Sequence, residues 1–408
     1  MSEQTIQKKP VTVKKVLLIL LAVLAAVVVI LAVTVGFLWG NEIRTLLSFE
    51  KIVDRNDDHL DGSVYQMTVS GGYYFDDFLA QGGAASDSDL IAFITGNLTK
   101  GLIDISLEAP EIGCASFTAQ AQDGSRLFAR NYDFSKTNTC LVFTDPGDGR
   151  HASVSTVDLQ FLGIDVDADV TELMDKIICL AAPYIPLDGM NDAGVSCGIY
   201  MTYQGEETVP TDQNTDKPDL TSTTMLRMIL DYASTVDEAI ALVEQYDLHD
   251  SAGTSYHYMI ADANGDSAVL EWVGETDATD NDGSARVLNV IRNTDAANLA
   301  DTGTDAYQCV TNYILTPGYY AEGEDRGGAD RYDHLNAALN ATGGLVEDDQ
   351  AAMDLLAQVG RRGWVVDGDH TQGTTVHSVV YNLTDCTALW VGNEHYGEEA
   401  YTFQLAMP

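Results

Sequence analysis

Apolar and polar positions along the chain fall into three regimes. Residues 16–39, VLLILLAVLAAVVVILAVTVGFLW, form one apolar run of 24 residues without charge or proline. As a helix rising 1.5 Å per residue it reaches about 36 Å, enough to cross a hydrocarbon core of about 30 Å with some tilt. Residues 41–110 show weak periodicity. One stretch stands out there: SDSDLIAFITGNLTKGLI (86–103) puts Leu90, Ile91, Phe93 and Ile94 on one helical face behind a serine/aspartate start. This segment is expected to be partly ordered and to pack on the domain C-terminal to it.

From residue 112 the pattern is denser. CASFTAQAQDGSRLFARNYD alternates and turns at Asp123-Gly124, which predicts a hairpin. STTMLRMILDYA (222–233) reads as a helix, and Thr235 with Glu238 forms a capping box opening a second, VDEAIALVEQY. YHYMIAD and SAVLEWV flank Ala263-Asn264-Gly265-Asp266 as a second hairpin. DRYDHLNAALN (330–340) and DDQAAMDLLAQVG (348–360) are helical. TTVHSVVYNLTDCTALWVGN (374–393) is a third strand pair. Hairpins separated by helix pairs predict antiparallel sheets covered by helices, an α+β layered fold.

The flanks of the apolar run change its meaning. Lys8, Lys9, Lys14 and Lys15 precede it. The positive-inside rule then puts residues 1–15 in the cytoplasm, 16–39 in the membrane and the rest outside. A cleavable signal peptide has an apolar region of about 7–15 residues and a small-residue exit. This run is longer and leaves through Phe37-Leu38-Trp39, so an uncleaved single-pass anchor is expected. The formal net charge is −41. Such a surface repels nucleic acid and anionic headgroups and keeps an extracytoplasmic domain soluble. The six cysteines (114, 140, 179, 197, 309, 386) have no metal-like spacing. Cys179 and Cys197 sit among apolar residues as core thiols, and few or no disulfides are expected. DRNDDHLDG (54–62) lacks the sixth-position glycine and the closing glutamate of a calcium loop, and reads as a solvated acidic turn. No metal or cofactor motif is expected.

Cys114, behind Gly113 at the start of the first hairpin, is the candidate nucleophile. A two-residue turn at Asp123-Gly124 would set Cys114 opposite Asp133 on one face, and Arg130 on the other unless a bulge re-aims it. No histidine lies nearby in sequence to activate a thiol. Cutting Gly113–Cys114 would free an α-amine with an unperturbed pKa of about 7.7–8.0, suited to moving protons near neutrality. Asp133 would pair with that amine, Arg130 would favour the thiolate, and Gly113 leaves its carbonyl open to attack.

These residues carry a resemblance. CASFTAQAQDGSRLFARNYD, DGMNDAGVSCGIY (188–200) and the paired-helix and hairpin block from Thr223 to Trp272 resemble the choloylglycine hydrolase and linear amide C–N hydrolase family. The resemblance runs from residue 112 to the C-terminus. It implies an N-terminal-nucleophile hydrolase with a four-layer αββα fold over 114–408, and residues 40–113 as a propeptide or retained fragment. It also implies Cys114 as nucleophile, Arg130 and Asp133 beside it, an oxyanion-hole asparagine at Asn312 in CVTNYIL, and a second arginine at Arg331, with Arg326 as its rival. About ten residues after Asn191 the family offers Asn or Tyr near the oxyanion. Here Met201 stands there beside Tyr200, which argues against a bile salt hydrolase. Asn191 itself is an oxyanion candidate or a turn-former.

The activity this implies is hydrolysis of a small N-acyl amide through an acyl-thioester. An acyltransferase on the same thioester is the enzymatic alternative. A catalytically silent surface binding domain is the alternative outside catalysis.

Overall fold

The structure, a computed structural model, describes residues 13–101, 113–203, 208–280, 282–366 and 371–408. The lysines at positions 8 and 9 lie outside these residues. The apolar run forms a helix at Val13–Leu38 whose residues are all exposed, with a mean hydropathy of 3.6 over its most apolar 18-residue window. A short helix, Gly40–Ser48, continues from it.

Two large sheets come next. One has nine strands, in the spatial order Glu50–Val53, Val64–Ser70, Thr139–Asp145, Ser153–Asp158, Asp188–Asn191, Ser196–Met201, Tyr256–Ala261, Ser267–Gly274 and Arg286–Arg292. The other has eight, and its centre is the hairpin Gly113–Ala121 and Arg126–Ser135 with Thr371–Asn382 and Thr387–Gly392 beyond it.

The alternation along each strand decides what it faces. Phe128 and Tyr132 of the hairpin join a core with Met190, Tyr200 and Met259 of the nine-stranded sheet. Ala115, Phe117, Leu127 and Ala129 point the other way, onto Leu335 and Leu339 of the Ala329–Thr342 helix and Met353 and Leu356 of the Asp349–Gln358 helix. The Ser222–Tyr232 and Val236–Val243 helices cover the outer face of the nine-stranded sheet. The layers are therefore helix, sheet, sheet, helix.

Two expectations change. Residues 41–110 do more than pack on the domain. Val64–Ser70 pairs in parallel with Thr139–Asp145 along its whole length, so the nine-stranded sheet is built from both sides of residue 113. The helix read at 86–103 is Asp87–Asn97, capped by Ser86 Oγ accepting from Asp89 N at 3.2 Å, with Leu90, Phe93 and Ile94 buried.

The first hairpin is corrected by one residue. Cys114 pairs with Tyr132, Ser116 with Arg130 and Gly113 with Asp133. The turn holds three residues, Gln122 to Gly124. It closes by Ala121 N to Ser125 O at 2.9 Å, with Asp123 Oδ1 accepting from Ser125 N at 2.9 Å and Gly124 at φ +100°. A side-chain-stabilised turn ending on a left-handed glycine replaces the two-residue turn that Asp-Gly suggests. A one-residue slip moves every side chain to the opposite face.

Candidate active site

That register puts Cys114 and Arg130 on the inner face together and sends Asp133 to the helix side. Cys114 is fully buried. Arg130 Nη2 donates to Cys114 Sγ at 3.2 Å and to Ile199 O at 2.7 Å, while Nη1 reaches Leu187 O at 3.3 Å. Arg130 Nε lies 3.4 Å from Asp188 Oδ2. Asp188 is gripped in turn by His377 Nε2 at 2.8 Å and Tyr381 OH at 2.7 Å. Burial pushes the Asp188 carboxyl up, but His377, Arg130 and Tyr381 outweigh it and hold it below the usual carboxylate range. The guanidinium thus crosses the gap between the sheets with its charge matched by a buried carboxylate. For the thiol, burial dominates over the pull of Arg130 and pushes Cys114 up to about 11. In the uncut chain it is a thiol at neutral pH.

The nitrogen of Cys114 has a separate set of partners. Cys309 and Val310 pair with Phe117 and Ser116, and the same register continued carries Asn312 alongside Cys114. Asn312 Oδ1 accepts from Cys114 N at 2.9 Å and from Arg331 Nη2 at 2.7 Å, while Nδ2 donates to Met201 O at 2.8 Å. Arg331, in the first turn of its helix, also pairs through Nη1 with Asp133 Oδ2, and Thr375 Oγ1 donates to Asp133 Oδ1 at 2.7 Å. Gly328 lets this arginine close in, since a Cβ there would lie 3.0 Å from Arg331 Nη2. Gly113 does the same for Asp133: a Cβ on it would meet Asp133 Cβ at 3.2 Å and Oδ2 at 3.6 Å.

Cys114, Arg130, Asp133, Asn312 and Arg331 therefore converge. Arg326 does not; it is exposed over the rings of Tyr313 and Tyr320. Asn191 is taken up elsewhere. Its Nδ2 donates to Leu230 O and Ala233 O, and its Oδ1 accepts from Ala193 N and Val195 N, so it fastens the turn before Ser196–Met201 to the end of a helix. Tyr200 lies at the site, its ring 4.8 Å from the Arg130 guanidinium, but its hydroxyl donates to Ser116 Oγ at 2.6 Å. Met201 contributes the carbonyl that orients Asn312.

Sequence reading missed the supports. Asp188 and His377 hold Arg130 but lie 189 residues apart. His257 bridges Glu271 Oε1 at 2.9 Å and Thr311 O at 2.8 Å, fixing the backbone next to Asn312. Glu271 also accepts from Leu315 N and Thr316 N beyond it. A buried acid inside an otherwise apolar strand, as in SAVLEWV, is the one signal that points to such a role.

Residues 114–276 match the family model described as linear amide C–N hydrolases, choloylglycine hydrolase family. Over that stretch the chain is similar to this family. Members are linear amide C–N hydrolases, and the matched stretch starts at Cys114 itself. No curated protein matches the chain in sequence. Among solved structures, a mutant of conjugated bile acid hydrolase from Clostridium perfringens is 16% identical over 72% of this chain and 92% of its own, with a TM-score of 0.49. Penicillin V acylase from Agrobacterium tumefaciens is 19% identical over 72% and 86%, with a TM-score of 0.46. An N-acylethanolamine-hydrolyzing acid amidase ortholog from Caenorhabditis elegans is 14% identical over 66% and 93%, with a TM-score of 0.37.

Proposed function

We propose that this protein is a self-processed, membrane-anchored hydrolase of linear amides in small N-acyl compounds, with Cys114 as its N-terminal nucleophile. The observation that carries the reading is the separate handling of the two ends of Cys114. Its sulfur is held by Arg130 in the inter-sheet layer, while its nitrogen is held by Asn312, beside Arg331 and Asp133. A structural thiol needs neither arrangement.

In this reading the Gly113–Cys114 bond is cut and the nitrogen becomes an α-amine. The amine takes the thiol proton, and the thiolate, favoured by Arg130, attacks the substrate carbonyl. The resulting ammonium protonates the leaving amine as the C–N bond breaks, leaving an acyl-thioester. The amine then accepts a proton from water, whose oxygen attacks the thioester carbonyl, and the thiolate departs. Asp133 and Arg331 orient the amine, and Asn312 fixes its position and supplies an amide for the oxyanion. Cofactors have no part in these steps.

Residues 40–113 act as a prosegment whose strand in the nine-stranded sheet favours retention after the cut. The Val13–Leu38 helix anchors the protein, with Lys14 and Lys15 on the cytoplasmic side and the catalytic domain outside. The test is direct. N-terminal sequencing of purified protein should find a new terminus reading Cys-Ala-Ser-Phe, absent in Cys114→Ala. The processed enzyme should release the amine from a panel of N-acyl amides. A single uncut chain, equally inert with and without Cys114, rules the proposal out.

A further inference from the structure

A second cluster of chemistry-bearing groups lies away from Cys114. His59 Nδ1 is 2.8 Å from Asp61 Oδ1, and His395 Nε2 is 2.8 Å from Asp61 Oδ2. One ligand atom from each residue can be chosen so that all three lie within 4.8 Å of one another. Asp61 is fully buried, whereas His59 is 41% exposed, so the cluster opens to solvent on one side. The other nitrogen of His395, Nδ1, faces Glu398 Oε1 at 3.0 Å, and its ring stacks on Tyr401. A neutral imidazole has one N–H, yet His395 meets a carboxylate at each nitrogen.

The backbone holds the cluster in place from two distant parts of the chain. Gly62, directly after Asp61, lies so close to Thr137 that a Cβ would sit 1.6 Å from its carbonyl oxygen. Asn393 Nδ2 donates to Gly62 O at 3.3 Å, tying the turn that carries His395 to the loop that carries Asp61. Arg362 Nη2 lies 3.8 Å from Asp61 Oδ1, an adverse charge, but its Nε is paired with Glu394 Oε2 at 2.7 Å.

We propose that His59, Asp61 and His395 form a site for a divalent transition metal of the zinc class, which clasps residues 57–61 to the turn after the Thr387–Gly392 strand. Two imidazole nitrogens and a carboxylate suit a first-row ion at about 2.0–2.2 Å, with water in the open position. The present separations allow this after outward shifts of a few tenths of an ångström. Glu398 plays the outer carboxylate that fixes the His395 tautomer and leaves Nε2 as the ligand. If Gly113–Cys114 is cut, a step that rests on the function proposed above, the ligands come from two polypeptides and the metal joins them.

The test uses full-length Cys114→Ala in detergent, so that binding is read independently of processing. After chelation and desalting, zinc chloride is titrated calorimetrically at neutral pH, and retained zinc is counted per chain. One zinc per chain is expected, with a zinc-dependent rise in melting temperature. The exposed His59→Gln, which should fold normally, should weaken binding at least tenfold, His395→Gln similarly, and Glu398→Gln about tenfold. No stoichiometric zinc, or uptake unchanged in the doubly substituted His59→Gln, His395→Gln chain, overturns the site.

Discussion

At the scale of single residues, the centre of this protein is a cysteine whose sulfur and nitrogen are held by different side chains, Arg130 and Asn312. Arg130 presents its planar fork to the thiol sulfur and the Ile199 carbonyl at once. Lysine can supply the charge but not that geometry. Arg130→Lys is expected to lower kcat/KM on N-acyl amides by about 10²–10³, while the melting temperature changes little. Arg130→Met removes a buried partner of Asp188 and should cost about 3 kcal/mol of stability, read by denaturant titration. Asn312→Ala leaves both the Cys114 nitrogen and Arg331 without their shared acceptor, so the appearance of the Cys-Ala-Ser-Phe terminus should slow by about 10²-fold or more. Burial holds the Cys114 thiol up at about 11. Well below that value the thiolate fraction rises about tenfold per pH unit. Processing of the full-length chain should therefore accelerate from pH 6 to pH 8, as followed by gel or intact mass; a flat profile argues against thiolate attack.

At the scale of elements, the hairpin shows how a small local choice governs the site. Asp123-Gly124 reads as a two-residue turn, and that reading leaves Arg130 on the wrong face. The Asp123 carboxylate and the left-handed Gly124 make a three-residue turn instead. The slip brings Arg130 to Cys114 and delivers Asp133 to the helix that carries Arg331. The Val64–Ser70 strand is the other decisive element. It enters through Gly62, whose missing side chain lets the chain pass against Thr137. Gly62→Ala should destabilise the protein by more than about 2 kcal/mol through that clash, and weaken the hold of the 40–101 segment on the rest. After processing, that segment is expected to co-purify with residues 114–408 in mild buffer and to separate only in denaturant; release in mild buffer contradicts retention.

At the scale of the whole molecule, charge sets the conditions under which the fold is most stable. Burial pushes Asp158 up to about 6 and Asp250 up to about 7. Both folded values exceed the unfolded value of about 3.9, so the folded state binds these protons more tightly. Their contribution favours folding at low pH and is lost as pH rises through about 6 and 7. The net charge of −41 acts in the same direction, because self-repulsion grows as the remaining groups deprotonate. The melting temperature should fall from pH 5.5 to pH 8, and added salt should recover part of the loss by screening. A melting temperature that rises over this range would show that another titration dominates.

The sequence by itself determined the layered α+β class, the apolar N-terminal helix, the helix pairs and the principal hairpins, because these arise from local periodicity and turn chemistry. It also singled out Cys114, Arg130, Asp133, Asn312 and Arg331, since short motifs preserve residue identity. It left Arg331 and Arg326 as rivals, and read Asn191 as either a turn-former or an oxyanion donor. Tertiary structure brings Arg331 rather than Arg326 beside Cys114 and ties Asn191 into a turn, and it sets the face of Arg130 and the supports Asp188, His377, His257 and Glu271. The reason is physical. A strand's face depends on register, and a buried charge depends on partners brought from another sheet. Neither is encoded within the reach of a local pattern.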